Sequence, residues 1–121
     1  MAHILVVSSD RDGLGPMLGV LNDAGYQASA ASTFEQAREE LADGTPDLVI
    51  ADERLGAFNG LHVLLAARAS RPEVGAIVTT PVANRALEAD ARLLNVDCLI
   101  TPQHPADWLA SITRALGSDR F

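Results

Sequence analysis

Asp52 directly follows the apolar run Leu48-Val49-Ile50-Ala51, so it leaves a buried segment at its carboxyl end. An acid at such a place can bind a metal ion, act as a nucleophile, or cap a turn through Asx-type hydrogen bonds. A second acidic segment, Asp10-Arg11-Asp12-Gly13, follows the first apolar run closely. Its plainest reading is an acidic turn that opens a helix, with Asp10 as cap. The chain has nine arginines and no lysine, which excludes any chemistry that needs a lysine amine. His3, His62 and His104 lie at no metal-ligand spacing, and His104 reads as a solvated loop residue.

The elements that must hold these groups are legible as alternating patterns. Ile4-Leu5-Val6-Val7, Leu48-Val49-Ile50-Ala51, Ala76-Ile77-Val78 and Cys98-Leu99-Ile100 are short continuous apolar runs, and Tyr26 to Ala30 is a weaker fifth. Such runs predict strands buried on both faces, the fifth lying at a sheet edge. Between them fall helix-period segments. Leu14 to Ala24 carries Leu14, Leu18 and Leu21, with Pro16 tolerable in a first turn and Gly25 as a stop. Ser32-Thr33-Phe34-Glu35 reads as a capping box opening a helix to about Ala42. Gly60 to about Ala69 aligns Leu61, Leu64 and Leu65, and Asn84 caps a helix with Leu87, Ala91 and Leu94. Pro105 to Leu116 aligns Trp108, Leu109, Ile112, Ala115 and Leu116.

Strand and helix alternating five times predict an α/β fold, a doubly wound flavodoxin-like (βα)5 sandwich with a parallel five-stranded sheet of order 2-1-3-4-5. Ligands of such sheets sit beyond the carboxyl ends of the strands. The loops to watch are therefore Ser8 to Asp12, Asp52 to Gly60, Thr79 to Asn84 and Thr101 to Pro105.

Composition narrows the function. The 121 residues carry a formal charge of −7, are 48% hydrophobic and 21% charged, and read as one globular domain, 1–121. Scattered arginines in an acidic chain argue against a nucleic-acid footprint. No apolar run is long enough to span a membrane, and Met1-Ala2-His3-Ile4 has no basic region ahead of an apolar stretch. With Cys98 as the one cysteine, a small buried packing residue by type, the expectation is a cytoplasmic protein.

The stretch Pro46-Asp47-Leu48-Val49-Ile50-Ala51-Asp52-Glu53-Arg54-Leu55, followed by Asn59-Gly60-Leu61, closely resembles the phosphoacceptor region of the receiver domains of bacterial response regulators. Ile4 to Val7 is similar to that family's first strand and Val78-Thr79 to the end of its fourth. Thr101-Pro102 stands where the family has Lys-Pro, so the likeness covers essentially the whole chain. It implies Asp52 at the phosphoacceptor position, Thr79 at the position of the hydroxyl that contacts the phosphoryl group, and a cis peptide before Pro102. Two acids after the first strand would hold Mg²⁺ together with Asp52.

This chain departs from that pattern in the pocket itself. Ser8 and Ser9 replace the acidic pair, Thr101 replaces the lysine, and Cys98 replaces the aromatic switch residue. Asp10 is the remaining candidate metal ligand beside Asp52, and Arg54 or Arg85 the candidate cation. Neutral hydroxyls substitute poorly for carboxylates around a hard cation, so weak Mg²⁺ affinity is expected. The resemblance then implies a pseudo-receiver in two-component signalling, not an enzyme, with weak or absent phosphorylation and action through protein contacts. Its alternative is a receiver that accepts phosphate at Asp52 from a histidine kinase. Implied partners are a sensor histidine kinase or another signalling protein, and a second copy through the fourth helix, fifth strand and fifth helix.

Other families fit less of the chain. Asp10-Arg11-Asp12-Gly13 resembles the nucleophile motif of haloacid-dehalogenase-type phosphatases, which also need a lysine. The same segment resembles the cobalamin-binding loop, with Asp12 where the histidine ligand should be. A flavodoxin would need flanking aromatics that are scarce here.

Overall fold

A computed structural model describes residues 2–44, 46–56, 58–101 and 104–117. Five parallel strands form one sheet: β1 (His3–Val7), β2 (Gln27–Ala31), β3 (Leu48–Asp52), β4 (Gly75–Thr80) and β5 (Asp97–Ile100). Their order is β2-β1-β3-β4-β5, the doubly wound order, with β2 at an edge. Five helices connect them: α1 (Arg11–Asp23), α2 (Phe34–Asp43), α3 (Gly60–Ser70), α4 (Arg85–Leu93) and α5 (Trp108–Gly117). A 3₁₀ turn, Pro105–Asp107, leads into α5.

Alternation along each strand divides the core into two layers. Leu5, Val7, Val49, Ala51, Ala76 and Val78 pack with Ala37, Leu41, Leu64, Ala67, Leu87 and Ala91 from α2, α3 and α4. Ile4, Val6, Leu48, Ile50 and Ile77 pack with Met17, Leu21, Trp108 and Ile112 from α1 and α5. Trp108 is 7% exposed, so it belongs to the core rather than to a contact surface. Leu65 is 46% exposed, and Val63 takes the buried place beside Leu61 and Leu64.

Two helix starts differ from expectation, each for a local reason. Asp10 caps α1, as its residue type suggests, by accepting the Gly13 N–H at 3.3 Å, so the helix begins at Arg11, ahead of the Leu14 start read from the apolar spacing, and Pro16 falls in its second turn. Thr33, not Ser32, caps α2, accepting the Gln36 N–H at 3.1 Å. The Gln36 side chain reaches back to the Ser32 N–H at 2.8 Å, so the reciprocal partner is Gln36 and Glu35 takes no part.

With Pro16 and Gly19 exposed and nothing within 4 Å of a Cβ added at Gly19, α1 carries two helix-weakening residues that packing does not require. Pro16→Ala is expected to restore the bond to the Asp12 carbonyl and raise stability by about 1–2 kcal/mol, and Gly19→Ala by about 0.5–1 kcal/mol. Urea unfolding of each variant checks both values.

Candidate functional site

Strand register brings the site together. Asp52 pairs directly with Thr79 across β3 and β4, while Val7 pairs with Ala51 across β1 and β3. Ser8, one residue past Val7, therefore comes level with Asp52. The half-buried Asp52 carboxylate accepts the Thr79 hydroxyl on Oδ1 at 2.7 Å and the Ser8 hydroxyl on Oδ2. Ser8 is itself fixed: its N–H donates to the Ala31 carbonyl at 3.0 Å, and its Oγ accepts the Asp10 N–H at 3.1 Å. Thr79 is 1% exposed. One carboxylate is thus gripped on both oxygens by hydroxyls, one from the residue that follows β1 and one from β4.

The residues after Asp52 hold it from behind. The Glu53 N–H donates to the Thr79 carbonyl at 2.7 Å, and the Glu53 carbonyl accepts the Gly60 N–H at 2.8 Å. Gly60 starts α3 so close to β3 that a Cβ there would lie 2.0 Å from the Asp52 carbonyl oxygen. Asn59 caps α3, its side chain accepting the Leu61 N–H at 2.8 Å while His62 Nδ1 accepts the Asn59 N–H at 3.2 Å. Arg54-Leu55 pairs with Phe58-Asn59 as a small antiparallel ladder, a feature the sequence pattern did not announce. Phe58 stacks on Phe34 of α2 with ring centroids 4.4 Å apart, which anchors that ladder.

Beyond the strand ends lies a cleft of about 520 Å³. Ser8, Ser9, Asp10, Asp52, Arg54, Thr79 and Thr101 line its mouth, and Val6, Met17, Ile50 and Trp108 its apolar wall. Of the candidate residues, Ser8, Asp52 and Thr79 are joined by hydrogen bonds. Ser9, Arg54 and Thr101 are exposed at the rim, Thr101 donating its N–H to the Thr80 carbonyl at 2.9 Å. Asp10 is exposed and engaged as the α1 cap. Arg85 opens α4 and does not line the cleft. Pro102 and the peptide before it lie outside the described residues. His104 is exposed, and burial pushes the Cys98 thiol up, with the Glu88 and Glu53 carboxylates acting in the same direction.

Comparison with known proteins bears on what this site belongs to. No protein-family model matches the chain. The nitrogen assimilation regulatory protein NtrX of Azorhizobium caulinodans is 33% identical over 125 residues, covering 100% of this chain and 28% of that protein. A CheY-like response regulator receiver domain protein from Methanospirillum hungatei superposes with a TM-score of 0.88 at 24% identity, covering 98% of this chain and 95% of that one. The chain is a response-regulator receiver domain. A response regulator from Burkholderia pseudomallei, seen with a phosphorylated aspartic acid, calcium ion and citrate, has a TM-score of 0.84 at 21% identity over 98% of this chain and 71% of that one. The receiver domain spans a little over a quarter of the curated NtrX relative it matches.

The donor set of this receiver domain does not fit a divalent-cation site of the carboxylate type. Mg²⁺ takes hard, charged oxygen ligands in near-octahedral geometry and dehydrates reluctantly. Here the two positions after β1 offer neutral hydroxyls, one of them already donating to Asp52, and Asp10 caps α1. Among the described residues no group of three or more His, Cys, Asp or Glu side chains is placed to hold a metal ion.

The Gly60 contact generates a specific expectation. Gly60→Ala should force β3 and α3 apart and cost about 2–3 kcal/mol, with loss of the Asp52 geometry. Denaturant unfolding measures the first effect, and changed amide shifts at Ser8 and Thr79 report the second.

Proposed function

We propose that this receiver domain is a pseudo-receiver: a protein-interaction module of two-component signalling in which Asp52 is not efficiently phosphorylated. The observation that carries this reading is the engagement of both Asp52 oxygens by the Ser8 and Thr79 hydroxyls, in a chain with no lysine and, among the described residues, no group of three or more His, Cys, Asp or Glu side chains placed to hold a metal ion. Phosphoryl transfer to a carboxylate brings negative oxygens against a negative acceptor and needs cationic assistance and in-line access. Ser8 and Ser9 supply no charge for a metal, and Thr101 supplies none for a phosphoryl oxygen. The calcium ion of the Burkholderia pseudomallei neighbour is therefore not transferred to this pocket.

In this reading Asp52 holds the acceptor position, Thr79 the hydroxyl position, and residues 1–121 act as one receiver unit in the cytoplasm. No helix among the described residues is long and apolar enough to cross a membrane. The partner is a sensor histidine kinase or another signalling protein, recognised through the α4, β5 and α5 face, where Leu93 is 85% and Ile100 54% exposed. A second copy of the chain docking through the same face is the homodimeric form of that contact. Regulation then requires a partner that binds two conformations with different affinity.

The second reading, a working phosphoacceptor, is favoured by one feature: Asp52 lines the open cleft with a hydroxyl beside it. Intact mass after incubation with acetyl phosphate and Mg²⁺ separates the two. Folded wild-type protein is expected to show no phosphoryl adduct beside a reacting receiver control. The triple variant Ser8→Asp, Ser9→Asp, Thr101→Lys is expected to gain one. An adduct on the wild type that vanishes in Asp52→Asn would overturn the pseudo-receiver reading.

A further inference from the structure

We propose that Glu53 and Asn84 form a latch that positions α4 against the Asp52 end of β3. The Glu53 backbone is pinned on both sides, to the Thr79 carbonyl and to the first N–H of α3. Its side chain is its remaining freedom, and it accepts the Asn84 Nδ2–H at 2.8 Å on Oε2. Asn84 is also the cap of α4: its Oδ1 accepts the Leu87 N–H at 3.0 Å, and its carbonyl accepts the Glu88 N–H at 3.0 Å. Both residues are partly buried.

One side chain thus does two things with its two ends. The amide oxygen of Asn84 starts the helix, and its amide nitrogen ties that start to the residue adjacent to Asp52. The loop between β4 and α4 is further held by buried Thr80, whose hydroxyl donates to the Val82 carbonyl at 2.8 Å. Cys98 on β5 has no ring to swing between two positions, so that position supplies no aromatic link from the pocket to the α4 face. The latch supplies a direct connection: any displacement of the last residue of β3 moves Glu53, and Glu53 pulls on the cap of α4. This role rests on the pseudo-receiver reading above, in which partners select between two conformations, and does not depend on phosphorylation.

The test exploits the two ends of the amide. Asn84→Asp keeps a good cap, since Asp and Asn cap equally well. It cannot donate to Glu53, and it places two carboxylates face to face. A purely capping role calls for unchanged or slower exchange of the α4 amides, because the added negative charge suits a helix N-terminus. The latch calls for the opposite: exchange of the Leu87 and Glu88 amides about fivefold faster, with α1 amides unaffected as a control for folding. Adding Glu53→Gln to Asn84→Asp reverses the donor and acceptor and is expected to restore wild-type exchange, while Glu53→Gln alone changes it little.

A further arm reads the coupling itself. Asp52→Asn is expected to shift the amide resonances of the first turn of α4 in the wild-type background and to lose that effect in the Asn84→Asp background. Exchange unchanged by Asn84→Asp, a double variant no better than the single one, or equal Asp52→Asn shifts in both backgrounds would each overturn the latch. A phosphoryl adduct on the wild type would instead overturn the pseudo-receiver reading and leave these exchange rates as they are.

Discussion

The carboxylate of Asp52 joins the carboxyl ends of three strands, and the local structure around it follows from that junction. Parallel register sets Thr79 opposite Asp52 and brings Ser8 level with it, so the two hydroxyls reach opposite oxygens of one acid. A hydrogen bond to a charged acceptor is among the stronger polar contacts a protein makes. Two of them, one just past the end of β1 and one in β4, fix the tip of β3. The first turn of α3 then has to start against the Asp52 carbonyl, which only a residue without a side chain permits. Gly60 is where the site and the fold constrain each other most tightly.

The same junction supports the pseudo-receiver reading of the pocket. A receiver that relies on a divalent ion gathers negative charge that repels itself until the ion arrives. Here the Asp52 carboxylate is satisfied by two protein hydroxyls. Asp10, the nearest acid in sequence to Ser8 and Ser9, is turned to the work of starting α1, and Arg54 stands exposed at the rim. The charge that would draw a cation inward is spread over caps and surface. What remains is a rigid end of the sheet with a direct line through Glu53 to α4, which suits a domain whose two states are selected by partners.

Much of this was legible in the sequence, and the exceptions have physical causes. Continuous apolar runs marked four of the five strands, because strands covered on both faces are apolar at nearly every position, while β2, with Gln27 and Ser29, was legible only as a weaker run suited to a sheet edge. Asn84 as a cap, Asp52 at a strand end and β2 at the edge followed from residue type and place. The start of α1 did not, since the cost of Pro16 in a second turn argued for a later start, while the Asp10 cap and packing of Met17 and Leu21 outweighed it. The α2 box was shifted by one residue because Thr33 and Ser32 are both competent caps and only the contact with Gln36 distinguishes them. The Phe34–Phe58 stack and the Glu53–Asn84 bond join residues 24 and 31 positions apart, and no periodicity records such pairs. The steric demand on Gly60 likewise appears only when β3 and α3 are placed together.

In the pseudo-receiver reading the hydroxyls of Ser8 and Thr79, rather than a metal ion, complete the environment of Asp52. A Mg²⁺ titration of the wild-type domain followed by ¹H–¹⁵N spectra addresses this directly, with the amides of Ser8, Ser9, Asp52 and Thr79 as reporters. The expected result is small, non-saturating shifts across the millimolar range. Saturable shifts confined to those four amides at sub-millimolar Mg²⁺ would contradict the account, because they would mean that the pocket still assembles a cation site despite its neutral first-strand hydroxyls.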